Sequence, residues 1–299
     1  MDGTKDSKYS EKNFLQIKKN MTNLCKQIGF DIDNIQFIAY SGFTGQNLVN
    51  KYEDEDIYKI NKMEWFKGRT LLESLDELKP PKRVFNEPLK ISIFNFNKIS
   101  GVGFVLEGKI LSGRFNTKME LSIPLSLENS SIKKQKSESI EVHNRPIEEA
   151  VAGDIIGFNI KRISRWDIRY TKLVFTENNM DSIKNADNLR VKILIINNKV
   201  TIRIGSTFTL FCYTLNIPIK IIKIEYLIDG ANKILGKEPK EIKNGEYAII
   251  IINIQKKKKY RSKAECFCQK YIENKILGSF ALFNSDFVAV GNIRDINVL

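Results

Sequence analysis

The sequence predicts a mainly β protein opened by a short α/β segment, and three observations predict it. Helical periodicity is confined to the part of the chain before Pro80-Pro81. From Val84 to about Glu177 short alternating stretches are separated by turn residues, the pattern of a small β-barrel. From about Asp187 onward, runs such as VKILII, TFTLFCYT, YAIIIINI and SFALFNSDFVAVGNI are strand-like in composition, which makes a second barrel the natural reading. The expected segments are 1–82 for the α/β part, 83–180 for one barrel and 181–299 for the other.

In chain order, Ser10 is an N-cap, and Phe14, Ile17, Met21, Leu24, Cys25 and Ile28 recur at helical spacing until Gly29 stops the helix. The apolar run Ile35 to Tyr40 predicts a buried parallel strand whose carboxyl end opens into the polar loop Ser41-Gly42, where ligands of open α/β sheets bind. A second helix is expected from Thr70 to Leu78, with Leu71, Leu72, Leu75 and Leu78 apolar and Pro80-Pro81 as its stop. In the first barrel, Gly153-Asp154 is a turn-forming pair. Beyond it Ile156, Phe158 and Ile160 point to one face of a strand, and Gly157, Asn159 and Lys161 to the other.

The 299 residues are 42% hydrophobic, enough for packed cores. No run approaches the roughly 18 consecutive apolar residues that a membrane helix needs. The polar start MDGTKDSKYSEKN has no apolar signal core, so a cytoplasmic location and no membrane partner are expected. Four cysteines are too few and too scattered for a disulfide framework. Cys266 and Cys268 share a strand face but lack a second pair of ligands, so no metal site is expected. Net charge is +13, from 48 basic against 35 acidic residues. That balance suits a polyanionic partner, although a lysine-rich composition produces it equally well. The run Lys256 to Lys259 reads as a solvated hairpin loop. His143, the only histidine, has no Ser, Cys or Asp partner at a catalytic spacing, so a buried or rim histidine is expected and no catalytic residue is assigned.

Several motifs together resemble the elongation factor 1-alpha family of translational GTPases. Ile140-Glu141-Val142-His143 resembles its V-E-M-H, Gly153-Asp154 through Lys161 its G-D-N-V-G-F-N-V-K, and Ser164, Asp167, Ile168 and Arg169 its S-x-x-D-I-R. Ser41 to Leu48 is similar to the S-G-x-x-G-x-N loop, Trp65 to Gly68 to W-F-x-G, and Thr70 to Asp76 to T-L-L-E-A-L-D. Ser100 to Gly113 is similar to the glycine-rich start of the family's first barrel. In the last segment Asn244-Gly245-Glu246, Leu277 to Ala281 and Val288 to Gly291 match S-G-D, L-G-R-F-A and T-V-A-V-G. There Ser279 replaces the arginine of G-R-F, and Phe283-Asn284 replaces a following Arg-Asp pair.

The resemblance implies the C-terminal part of a P-loop GTPase domain followed by two β-barrels. It implies that Asp2, Ser41, Gly42 and Phe43 descend from the guanine-binding site, with Asp2 at the end of an N-K-M-D motif. It further implies that Glu141, with His143 beside it, meets the end of aminoacyl-tRNA. GTP and Mg as cofactors, and aminoacyl-tRNA, the ribosome and a guanine-nucleotide exchange factor as partners, belong to the same expectation. No G-K-[ST] phosphate loop occurs in the 299 residues, so tight nucleotide binding by this chain alone is not expected. Two alternatives stay open on the sequence: a factor like the no-go-decay ribosome-rescue GTPase, and a nucleotide-free barrel module that binds tRNA or ribosome.

Overall fold

The computed structural model describes residues 3, 8–49, 63–124, 132–161, 172–176, 183–197, 199–255 and 266–298. The chain divides into two units, Met1–Lys82 and Arg83–Leu299. The expected hairpin loop at Lys256 to Lys259 and the S-x-x-D-I-R match at 164–169 lie outside the described residues.

In the first unit, helix α1 spans Glu11–Ile28. Ser10 accepts a hydrogen bond from the Asn13 N–H, and Gly29, at φ 97°, donates back to the Cys25 and Lys26 carbonyls. Helix α2 spans Leu71–Asp76 and starts in a capping box: Thr70 Oγ1 accepts from the Glu73 N–H, and Glu73 accepts from the Thr70 N–H at 2.8 Å. Three expectations need correction. Helix α2 ends before Glu77 and leaves Leu72, Leu75 and Leu78 exposed, because the described part of this unit holds no layer for them to pack on. Ile35 to Tyr40 forms no ladder among the described residues, since a parallel strand exists only through its neighbours. The apolar stripe of α1 is real in sequence, yet the helix buries no residue completely. Among its contacts, the Phe14 ring lies 5.3 Å from Trp65 and 5.7 Å from Phe66, and the Lys18 Nζ lies 5.7 Å from the centre of the Phe37 ring.

In the second unit the first sheet contains β1 (Lys90–Ile99), β2 (Gly103–Ser112), β4 (Glu120–Pro124), β5 (Ile132–Lys136), β6 (Ile140–Val142), β7 (Arg145–Pro146), β9 (Ile155–Ile160) and β10 (Leu173–Phe175). Their order is β5-β4-β10-β1-β2-β9-β6-β7, and every pairing is antiparallel. A short ladder of β3 (Arg114–Asn116) with β8 (Glu149–Val151) accompanies it. Alternation sends Ile91, Ile93, Leu106, Ile110, Ile156 and Phe158 inward to one core with Phe115. Burial of each such side chain stabilises by about 1.5–3 kcal/mol. Gly113 shows why glycine recurs here. At φ 82° it lets two segments cross so closely that a Cβ would stand 2.7 Å from the Glu87 carbonyl oxygen.

The second sheet holds β12 (Asn188–Ile195), β14 (Thr207–Cys212), β15 (Leu215–Ile228), β16 (Ile234–Lys237), β18 (Tyr247–Ile254), β20 (Ser279–Asn284) and β21 (Asp286–Ile296) in the order β14-β20-β21-β12-β18-β15-β16. Pairing of β14 with β15 closes six of these strands into a barrel. Two short ladders, β11 (Lys184–Asn185) with β19 (Phe267–Cys268) and β13 (Ile202–Arg203) with β17 (Glu241–Ile242), complete it. Leu173, Phe175, Ile183 and Leu277 form a buried cluster of their own, with Leu111, Ile132 and Tyr213 against it, and join the two sheets.

Candidate functional site

The V-E-M-H-like segment becomes a hairpin of β6 and β7. Val142 pairs with Arg145, so His143 and Asn144 are its two turn residues, at φ 50° and 61°. Both positive values match a type I′ turn, the kind whose twist suits a two-residue hairpin. His143 is therefore exposed at a turn, which corrects the buried position among the two expected for it, buried or rim. Asn159 places this hairpin. Its Oδ1 accepts from the Glu138 N–H (2.8 Å), the Ser139 N–H (2.9 Å) and the Ser137 hydroxyl (3.3 Å), which ties the segment before Ile140 to β9. Sequence reasoning read Asn159 only as an outward strand residue; the G-F-N pattern carried the signal, but its partners lie about twenty residues away.

The ladder then sets Glu141 in a row. Glu141 stands opposite Gly157, Gly157 opposite Glu107, and Glu107 opposite Asn95, across β6, β9, β2 and β1. Their neighbours Ile140, Leu106 and Phe158 are buried, so the row faces outward. Gly157 leaves its floor bare, with only the Val105 Cγ1 near the position of a Cβ, at 3.6 Å. Two strand spacings of about 4.8 Å separate Glu141 from Glu107, giving a shallow strip roughly 10 Å wide. The Glu107 carboxylate is fixed by the Asn95 and Asn97 amides at 3.1 and 2.7 Å. Such a strip accepts a flat ring on its floor and hydroxyl or amino donors at its edges. Asp154 of the Gly-Asp turn is structural. Its Oδ2 accepts from the Val151 N–H (2.9 Å) and its Oδ1 from Arg83 (3.2 Å).

The other expected site lies in the first unit, and Asp2 falls outside the described residues. Ser41 is fully buried. Its hydroxyl accepts from the Thr44 N–H (3.1 Å), and its own N–H donates to the Gln46 carbonyl (3.0 Å). Asn47 holds the loop to its surroundings by donating to the Ala39 carbonyl (2.7 Å) and the Arg69 carbonyl (3.2 Å). Gly42 and Phe43 are exposed, Phe43 at 88%. The loop is thus held by its own hydrogen bonds, with the serine side chain turned to its own backbone.

Elsewhere, Cys212, Cys266 and Cys268 are buried in the second barrel. Burial pushes the Cys212 thiol up, and a hydrogen bond with Cys266 followed by burial does the same to Cys268, so Cys212 and Cys268 are neutral packing groups. A cleft of about 500 Å³ opens on the first barrel between Phe85, Leu89, Arg114, Met119 and Glu149; neither Glu141 nor His143 lines it.

The described residues thus form a first unit that carries two α-helices and a second of two antiparallel barrels, the first barrel bearing the Glu141 hairpin. Residues 188–294 match the family model described as GTP-eEF1A C-terminal domain-like. The chain is 33% identical over 291 residues to elongation factor 1-alpha of Plasmodium falciparum, covering 97% of this chain and 61% of that relative. It is 31% identical over 298 residues to elongation factor 1-alpha of Eimeria bovis, covering 99% and 80%. The chain belongs to the elongation factor 1-alpha family. It spans 61% of the length of the Plasmodium relative. Its fold is similar to that of the Ski7 GTPase-like domain of S. cerevisiae bound to GTP (TM-score 0.68, 17% identity, 95% of this chain and 62% of that one). It is also similar to that of Sup35 complexed with GMPPNP (TM-score 0.61, 19% identity, 100% and 68%).

Proposed function

We propose that this chain acts in translation as an aminoacyl-tRNA-binding member of its family, with the strip beside Glu141 receiving the acceptor end. The observation that carries this reading is the outward row Glu141, Gly157, Glu107, in which a bare glycine floor lies between two carboxylates. A base stacks on the floor while Glu141 and Glu107 accept from ribose or amino groups, and unpaired nucleotides are recognised in this way. His143, at the hairpin turn, borders the strip. The barrels segregate at about residue 180, and guanine recognition belongs to the Ser41–Phe43 loop with Asp2. Delivery of tRNA to the ribosome in the cytoplasm, with GTP and Mg, is the activity this assignment entails. These 299 residues by themselves supply base contacts without a G-K-[ST] phosphate cradle, so they hold guanine nucleotide weakly and do not hydrolyse it.

Affinity for aminoacylated and deacylated tRNA, compared at several salt concentrations, tests the reading. A preference for the charged form that falls in Glu141→Ala is expected, on top of a steep salt dependence shared by both forms. Equal affinity of the unsubstituted chain for the two forms overturns it. Titration of a fluorescent guanine nucleotide with magnesium tests the second half, and saturation in the micromolar range overturns that half alone.

A further inference from the structure

The outer face of the closed barrel gathers four cations: Arg190 and Lys192 on β12, Arg294 on β21, and Lys270 in the turn before β20. Two of them are neutralised. The Arg190 Nε donates to Glu225 Oε2 at 2.6 Å with Asp295 Oδ2 at 3.6 Å from its Nη1, and the Lys270 Nζ lies 3.0 Å from Asp295 Oδ1. The other two meet no carboxylate within ion-pair distance among the described residues. Instead the Lys192 Nζ and the Arg294 Nη2 both donate to one neutral oxygen, Asn232 Oδ1, at 2.7 and 3.3 Å.

Several features hold this pair in place. Asn232 sits at φ 70° in a turn closed by the Asp229 N–H donating to the Lys233 carbonyl at 2.9 Å. Asp229 Oδ1 accepts from the Lys233 N–H at 2.8 Å, so the nearby carboxylate already serves its own turn. The Lys192 Nζ also rests 4.9 Å from the centre of the Tyr247 ring. Burial and then the neighbouring Arg294 lower the Lys192 pKa, and attraction to the Asp229 carboxylate offsets only part of this. Across the ladder from Lys192, Asn292 keeps a buried Oδ1 that meets no donor among the described residues.

Two cationic donors with no carboxylate at ion-pair distance among the described residues, converging beside an idle acceptor, are what an oxyanion bearing a hydroxyl completes. We infer that Lys192, Arg294 and Asn232 form a binding site for a phosphate group, with Asn292 accepting from a hydroxyl of the same ligand. Arginine and lysine together supply the forked and the point donors that phosphate oxygens take. Its position on the second barrel keeps this site distinct from the Glu141 strip, so it stands whether or not that strip receives tRNA.

Amide NMR spectra of the full chain, titrated at constant ionic strength with inorganic phosphate, ribose 5-phosphate and a short RNA duplex in separate arms, test the inference. Saturable shifts at β12, β21 and the Asp229–Lys233 turn are expected, weakened about tenfold or more in a Lys192→Gln, Arg294→Gln double variant. Asn232→Ala, which keeps both charges, is expected to weaken binding less. Saturation by the small phosphates identifies a free phosphate ester as the source, and saturation by the duplex alone identifies a nucleic-acid backbone. Absence of saturable shifts with all three probes overturns the site, as does unchanged binding in the double variant.

Discussion

Helix α1 is capped at both ends and yet buries no residue fully, whereas β12 buries Leu189, Val191, Ile193 and Ile195 completely on one face and Leu194 on the other. Both elements obey their local rules. The difference lies in what each meets: β12 has β18 on one side, β21 on the other and a closed barrel interior beneath it. The described part of the first unit offers α1 the Trp65 and Phe66 rings against Phe14 and the Phe37 ring under Lys18, and none of these buries a residue of the helix fully. Capping and propensity shape an element, and burial stabilises it.

The largest expected effect of this contrast is in hydrogen exchange. Amides of β12 and β18 should exchange slower than those of α1 by a factor on the order of a thousand, since sub-global opening of a poorly covered helix needs little free energy. Comparable protection in α1 would break the comparison and show that its apolar stripe is covered in solution. Next in size, Phe158→Ala should cost about 3–5 kcal/mol in denaturant melts by leaving a cavity against Phe115, whose ring lies 5.3 Å away. Leu72→Ala in the exposed α2 should stay within about 0.5 kcal/mol. Equal costs at the two positions would contradict the burial contrast.

Asn159→Ala sharpens the comparison within the barrel, because it removes one acceptor shared by three donors. A loss of about 1–3 kcal/mol is expected, together with weaker discrimination of charged tRNA as the β6–β7 hairpin loosens. Stability loss with unchanged discrimination would detach Asn159 from the site. The smallest effect concerns Asp295, whose carboxyl is held below its ordinary range by Lys270 and then Arg190. A carboxyl with a depressed folded pKa contributes stability above its unfolded value near 3.8, and that contribution is lost as pH falls through the folded value. Its side chain is 40% exposed, so solvent screening limits the contribution to a few tenths of a kcal/mol. Melts of the unsubstituted chain and Asp295→Asn should therefore differ slightly at about pH 6 and converge near pH 2; a difference that grows toward low pH contradicts this.

Much of the site was legible in residues close together in sequence. Glu141 and His143 stand in a short motif, and Gly153-Asp154 announced its turn. Ser10, Gly29 and the Thr70-Glu73 box marked helix ends because caps involve partners only three or four residues away. What stayed hidden depended on distant pairing. Glu107, Asn95 and Gly157 join Glu141 only once four strands fall into register, and the Lys192–Arg294 pair spans about a hundred residues.

Periodicity, turn chemistry and motif order determined from sequence alone that this chain is mainly β, that an α/β segment precedes two barrels, and which family it belongs to. Each of those signals is written in neighbouring residues, through staggered side-chain directions and backbone preferences. Tertiary structure alone decided that Ile35 to Tyr40 lacks a ladder among the described residues, that the leucines of α2 face solvent, and that His143 sits at an exposed turn. An apolar pattern states which face wants burial, but the partner that buries it, and the register that aligns one strand with another, are set by contacts between segments far apart in the chain.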